Sequence, residues 1–133
     1  MQRIVLMPNL KKDVDLAVTK QVISILKKNS ADLFMDVSYE KKLRSKRVTY
    51  LPLQSVIDLN PDAIIVIGGD GSILDAASYS MEVKAPVLGI NLGRLGYLSS
   101  LDVNELEELN KLFTGEYKVT KHMTFDVFLQ GRG

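Results

Sequence analysis

Cysteine and tryptophan are absent from this 133-residue chain, and histidine occurs once, at His122. Without thiols there is neither a disulfide nor a thiol nucleophile, and a zinc site would have to do without sulfur. A single imidazole argues against a multi-histidine metal centre and against a Ser-His-Asp triad. A strong net charge is missing too: 17 Lys and Arg stand against 16 Asp and Glu, leaving +1. That balance argues against a nucleic-acid partner or an acidic-partner scaffold. No apolar run approaches the roughly 20 residues of a membrane span, and no signal-peptide pattern opens the chain. The expectation is a cytoplasmic protein with no membrane partner. What remains is ordinary, 46% hydrophobic and 25% charged, enough for one domain with a real core.

The order of elements is informative. "RIVLM" (3–7) reads as a buried strand ended by Pro8. Asp13 is placed to cap a helix whose apolar positions Val14, Ala17, Val18, Val22, Ile25 and Leu26 follow the 3.6-residue period. Lys27 and Lys28 suit its carboxyl end, and Asn29 can close it. "DLFMDV" (32–37) is a second strand, and "AIIVI" (63–67) is a β-branched run typical of a strand buried on both faces. A helix is predicted over 72–81, a strand over 87–90, and an amphipathic helix over 102–115. This alternation predicts an α/β fold, a Rossmann-like parallel sheet with helices on both faces, over residues 1–116. After Gly115 the residues alternate polar and apolar, and 117–133 read as the first strands of a β domain cut short. The basic run "KKLRSKR" (41–47) reads as a solvated surface segment.

The chemistry concentrates in "IIVIGGDGSIL" (64–74), where Asp70 stands among Gly68, Gly69 and Gly71. A strand-to-helix turn at the carboxyl end of a parallel strand is where α/β sheets bind ligands, and the free N–H groups of a helix start attract phosphate. Glycines permit positive φ and close approach, and each forgoes roughly 0.5–1 kcal/mol relative to alanine. An ionised aspartate, with a reference pKa of about 3.9, repels phosphate. Two roles remove the conflict: Asp70 holds a Mg²⁺ that bridges phosphates, or it accepts the proton of an attacking hydroxyl. The plainer reading, that Asp70 caps the helix for roughly 1 kcal/mol, leaves the flanking glycines unexplained.

"GGDGSIL", followed by "GINLGRLGYLS", closely resembles the NAD kinases, whose pattern is a GGDG loop and then an N-x-G-x-L-G-F motif. GGDG alone also marks 6-phosphofructokinases, diacylglycerol kinases and sphingosine kinases, but "NLGRLGYL" is NAD-kinase-like. The resemblance implies that Asp70 is the general base on the 2′-hydroxyl of the adenosine ribose of NAD. It implies that Gly69 and Gly71 contact phosphates or ribose, that Asn91 and Gly93 carry the second motif, and that Tyr97 stacks on adenine where the family has phenylalanine. The implied donor is ATP, or polyphosphate in some members, with a divalent metal such as Mg²⁺ as cofactor. The implied assembly is a homo-oligomer whose α/β domain is followed by a β-sandwich. Ile73, Leu74 and Asp75 depart from members that carry Arg or Lys near these positions. The family's later Asn-Glu motif is missing from the chain, so a fragment inactive on its own is expected. Other readings are a GGDG-type kinase for a sugar phosphate or lipid, and a non-catalytic nucleotide-binding module.

Overall fold

The β-branched run is the centre of the sheet. In the computed structural model, which describes residues 3–69, 72, 85–92 and 101–114, β4 (Ala63–Gly68) is buried at every position. Its neighbours are β1 (Arg3–Pro8) and β5 (Val87–Asn91), the latter also buried throughout. Beyond them lie β2 (Asp32–Asp36) and β3 (Val48–Leu51) on one side and the two-residue β6 (Leu101–Asp102) on the other. The order is β3-β2-β1-β4-β5-β6 and every pairing is parallel. A strand flanked on both sides and on both faces has no polar surface to satisfy, which explains why Ile64, Ile65, Val66 and Ile67 need no alternation.

The chain winds outward in two directions from the β1–β4 pair. β1 leads through α1 (Ala17–Lys28) to β2, whereas β3 leads through α3 (Leu53–Asp58) back to β4. Right-handed crossovers taken in opposite directions place α1 and α3 on opposite faces. The α1 face also carries the 3-10 segment Val103–Asn110, which runs into α4 (Lys111–Thr114). Asn29 at the end of α1 donates to Asn110 Oδ1 at 2.8 Å, and Leu106 and Leu109 are buried. This is the doubly wound α/β architecture expected from the alternation.

The start of α1 differs from the expectation in an instructive way. The periodic pattern places Val14 on the buried face, yet Val14 is 70% exposed. Asp15 and Leu16 adopt positive φ (57° and 55°), so the chain makes an extra turn before the α-helix begins at Ala17. Asp13 still caps it, from outside that turn. Its buried carboxylate accepts from Val18 N–H at 2.9 Å, Thr19 N–H at 2.8 Å and the Thr19 hydroxyl at 2.6 Å. Asp13→Ala is expected to lower the unfolding free energy of the full-length protein by about 1–3 kcal/mol, because three donors lose their acceptor away from water. Denaturant titration measures it. At the other end the expected close by Asn29 is present: Ser30 takes φ 61° and Ala31 N–H returns to Leu26 O at 3.2 Å.

Several short elements among the described residues were not anticipated, α2 (Glu40–Leu43) among them. β3 is short and follows a basic run, α3 has six residues, and β6 has two. In the basic run, Lys41, Lys42, Arg44, Lys46 and Arg47 are exposed while Leu43, in α2 (Glu40–Leu43), is buried. The helix expected over 102–115 begins as expected at Asp102. That residue accepts from Asn104 N–H at 3.1 Å and donates its own N–H to Glu105 at 2.9 Å. Its first eight residues are 3-10 rather than α. Of the helix expected over 72–81 only Ser72 is among the described residues, and it is helical. The β strands expected over 117–133 lie outside them.

Candidate functional site

The winding reverses between β1 and β4, and the carboxyl ends of strands at such a point are where open α/β sheets take ligands. The glycine-rich loop begins there. Gly68 pairs with Asn91 across the β4–β5 ladder, and Leu92 N–H donates to Gly68 O at 2.9 Å. Asn91 is buried at the last position of β5. Thus Gly69 and Asn91, far apart in sequence, are brought to one edge of the sheet. Asp70, Gly71, Gly93 and Tyr97 lie outside the described residues, although Asp70 follows Gly69 directly in the chain.

Of the two reasons expected for glycine here, positive φ and close approach, the second is the one that applies at Gly68 and Gly69. Neither Gly68 nor Gly69 has a φ in the left-handed region; what both need is space. A Cβ on Gly68 would stand 2.8 Å from Ser72 Oγ, 2.9 Å from Ser72 Cβ and 3.1 Å from Asn9 Cβ. A Cβ on Gly69 would stand 3.1 Å from Cε of Lys12. Gly68 and Gly69 are therefore packed under the segment that leaves β1.

That segment was not singled out from the sequence, and Asn9 organises it. Asn9 N–H donates to Ile67 O at 2.8 Å, and its side-chain amide donates to Ser72 Oγ at 2.9 Å. Its Oδ1 accepts from the N–H groups of Lys11 and Lys12 at 2.9 and 3.1 Å. One side chain thereby holds its own turn and ties it to the helix start beyond GGDG. The available signal was an Asn just after Pro8 at a strand end, a common turn-forming arrangement.

A cavity of about 490 Å³ lies at this edge, with Met7, Pro8, Asn9, Tyr39, Val66 and Ser72 in its wall. This is within the usual size of a small-molecule site, about 300–1,000 Å³. Tyr39 closes one side and donates its hydroxyl to Pro8 O at 2.9 Å. Asp36, at the end of β2, accepts from both the backbone N–H and the hydroxyl of Ser38. Burial first, and then the Asp36 carboxylate, push the Tyr39 hydroxyl above its ordinary pKa of 10.0. An acid whose pKa is higher folded than unfolded contributes stability below the unfolded value and loses it as pH rises through the folded one. Unfolding free energy is expected to fall above about pH 10, the ordinary tyrosine value, and Tyr39→Phe to make that fall shallower. Tyr50, raised by burial, titrates in the same direction and leaves a residual slope. At neutral pH the variant is expected to lose about 1 kcal/mol with its hydrogen bond. Denaturant titrations at pH 7 to 11 check both.

Among the described residues no group of three or more His, Cys, Asp or Glu side chains is placed to hold a metal ion. No helix among them is long and apolar enough to cross a membrane. What the described part of the site offers is backbone N–H groups, two amides and a lysine at the mouth of a glycine loop.

Residues 2–117 match the sequence profile of the ATP-NAD kinase N-terminal domain. The chain belongs to the NAD kinase family. An NAD kinase of Thermoanaerobacter sp. is 34% identical over 127 residues, which cover 95% of this chain and 44% of the relative. The NAD kinase of Picrophilus torridus is 39% identical over 97 residues, covering 72% of this chain and 34% of that protein. The NAD kinase of Clostridium kluyveri reaches 49% over 61 residues, 45% of this chain and 22% of the relative. The chain thus spans less than half the length of the curated relatives it matches. In three dimensions it is similar to yeast NADH kinase, whose crystal structure was determined in complex with NADH. The TM-score is 0.71 at 18% identity, covering 87% of this chain and 39% of that one. At that identity the likeness establishes the fold, and the fold agrees with the family.

Proposed function

We infer that the full-length protein containing this chain transfers the terminal phosphoryl group of ATP to the 2′-hydroxyl of the adenosine ribose of NAD, giving NADP. The observation that carries this is Gly68, where the GGDG motif begins at the end of β4, paired with Asn91 of the second motif, on a strand that borders the point where the winding reverses. Family membership supplies the choice of NAD over a sugar phosphate or a lipid. Gly69 and Gly71 hold the phosphates through backbone N–H groups, Asn91 and Gly93 face the dinucleotide, and Tyr97 stacks on adenine. Asp70 accepts the proton of the 2′-hydroxyl. The ribose oxygen forms its bond to the γ-phosphorus, the bond from that phosphorus to the β–γ bridging oxygen breaks, and ADP leaves. A divalent metal such as Mg²⁺ neutralises phosphate charge when bound. No step is assigned to it. Residues 1–116 form the nucleotide-binding domain, and 117–133 begin the β domain that completes the pocket. Family resemblance also supports a cytoplasmic homo-oligomer. The test is NADP formation by the full-length protein from NAD, ATP and Mg²⁺. Phosphorylation of a sugar phosphate or lipid, with none of NAD, would overturn the assignment.

A further inference from the structure

The lysine over the glycine loop has no assigned role in this chemistry. Lys12 lies on the turn that leaves β1, and its side chain runs along the backbone of Gly69. A Cβ there would meet Cε at 3.1 Å, Nζ at 3.4 Å and Cδ at 3.5 Å. The side chain is exposed, and among the described residues its ammonium makes neither a hydrogen bond nor an ion pair. Its backbone, by contrast, is held: Lys12 N–H donates to Asn9 Oδ1 at 3.1 Å and to Asn9 O at 3.2 Å. The Asn9 amide in turn bonds Ser72 Oγ, beyond GGDG. The lysine and the glycine loop are therefore parts of one hydrogen-bonded unit, and a ligand that engages the loop's N–H groups meets the ammonium as well.

We propose that Lys12 binds the polyphosphate tail of the phosphoryl donor, clamping it against the backbone of Gly69. This rests on the kinase reading above and extends it to a residue outside both sequence motifs. The physical need is clear. A triphosphate approaching this loop meets the carboxylate of Asp70 next in the chain, and a flexible point charge over Gly69 offsets that repulsion. An ammonium donating to phosphate oxygens makes charge-assisted hydrogen bonds, which are shorter and stronger than neutral ones. A purely structural lysine, whose methylene stem only covers the glycine, would need no charge at its tip.

The substitution Lys12→Met keeps the stem and removes the charge, so it separates the two roles. In the full-length protein it is expected to raise KM for ATP at least tenfold while KM for NAD changes less than twofold. The Tm is expected to stay within about 1 °C, and Lys12→Arg to restore most of the affinity. Inorganic tripolyphosphate, as a competitor of ATP, is expected to weaken by the same factor. An unchanged KM for ATP would overturn the proposal. So would a loss confined to ATP and spared for tripolyphosphate, since that would place Lys12 against the nucleoside. Calorimetric titration of wild type and variant with ATP and tripolyphosphate keeps the two readings apart. A protein that makes no NADP but binds both anions through Lys12 would refute the NAD kinase reading alone. Equal binding by both proteins would refute the clamp alone.

Discussion

Asp70→Asn in the full-length protein is expected to lower kcat for NAD phosphorylation by about 10²–10⁴-fold, the range of a general base removed from its hydroxyl. The amide has the shape of the carboxylate, so fold and KM for NAD should change little. It cannot accept the proton, and it also removes the charge that opposes the donor. Binding of ATP is therefore expected to stay the same or tighten while turnover collapses. That combination separates a base from a metal ligand. Were Asp70 instead to hold Mg²⁺, the same variant would need a much higher Mg²⁺ concentration for half-maximal rate and would recover at saturation. A variant as active as the wild type would remove Asp70 from the chemistry altogether.

Gly68→Ala is expected to have the second largest effect, by geometry rather than charge. The added methyl would meet Ser72 Cβ at 2.9 Å and Asn9 Cβ at 3.1 Å. A hydroxyl can rotate away, but two Cβ atoms move only if the backbone moves. The loop must then separate from the turn that leaves β1, and the Asn9–Ser72 hydrogen bond of 2.9 Å breaks. Overpacking of this kind lowers stability by about 1–3 kcal/mol. The larger consequence is for the reaction. Misplacing catalytic groups by about 1 Å is enough to lower rate by about 10²-fold, so kcat/KM is expected to fall by that order while the chain still folds. Gly69→Ala should be milder, because the atom it meets at 3.1 Å is Cε near the tip of the flexible Lys12 side chain. Equal activities for Gly68→Ala and wild type would show that the tight packing has no bearing on the site.

How far this was legible in the sequence depends on the length over which a signal repeats. β4 and β5 announce themselves because burial on both faces leaves a continuous apolar run, and α1 because its core-facing positions recur over three turns. β6 is two residues long, and β3 is an edge strand of four beside a basic loop; neither is long enough for a period to show. The turn of Asp15 and Leu16 was hidden because an aspartate cap is ordinarily adjacent to its helix, whereas Asp13 reaches past a turn to Val18 and Thr19. Gly69 and Asn91 were singled out because motif residues mark themselves. Asn9 and Lys12 were not, since nothing in sequence links the end of β1 to a loop some sixty residues on. That link is made by the parallel β1–β4 pairing, a long-range contact in which Pro8 lies beside Ile67.

The most direct measurement is a crystal structure of the full-length protein with NAD and a non-hydrolysable ATP analogue. The phosphates are predicted to lie at the carboxyl ends of β1 and β4, within hydrogen-bonding distance of Gly69 N–H and Lys12 Nζ, with the ribose 2′-hydroxyl on Asp70. An analogue bound elsewhere, with the glycine loop facing only solvent, would contradict the account.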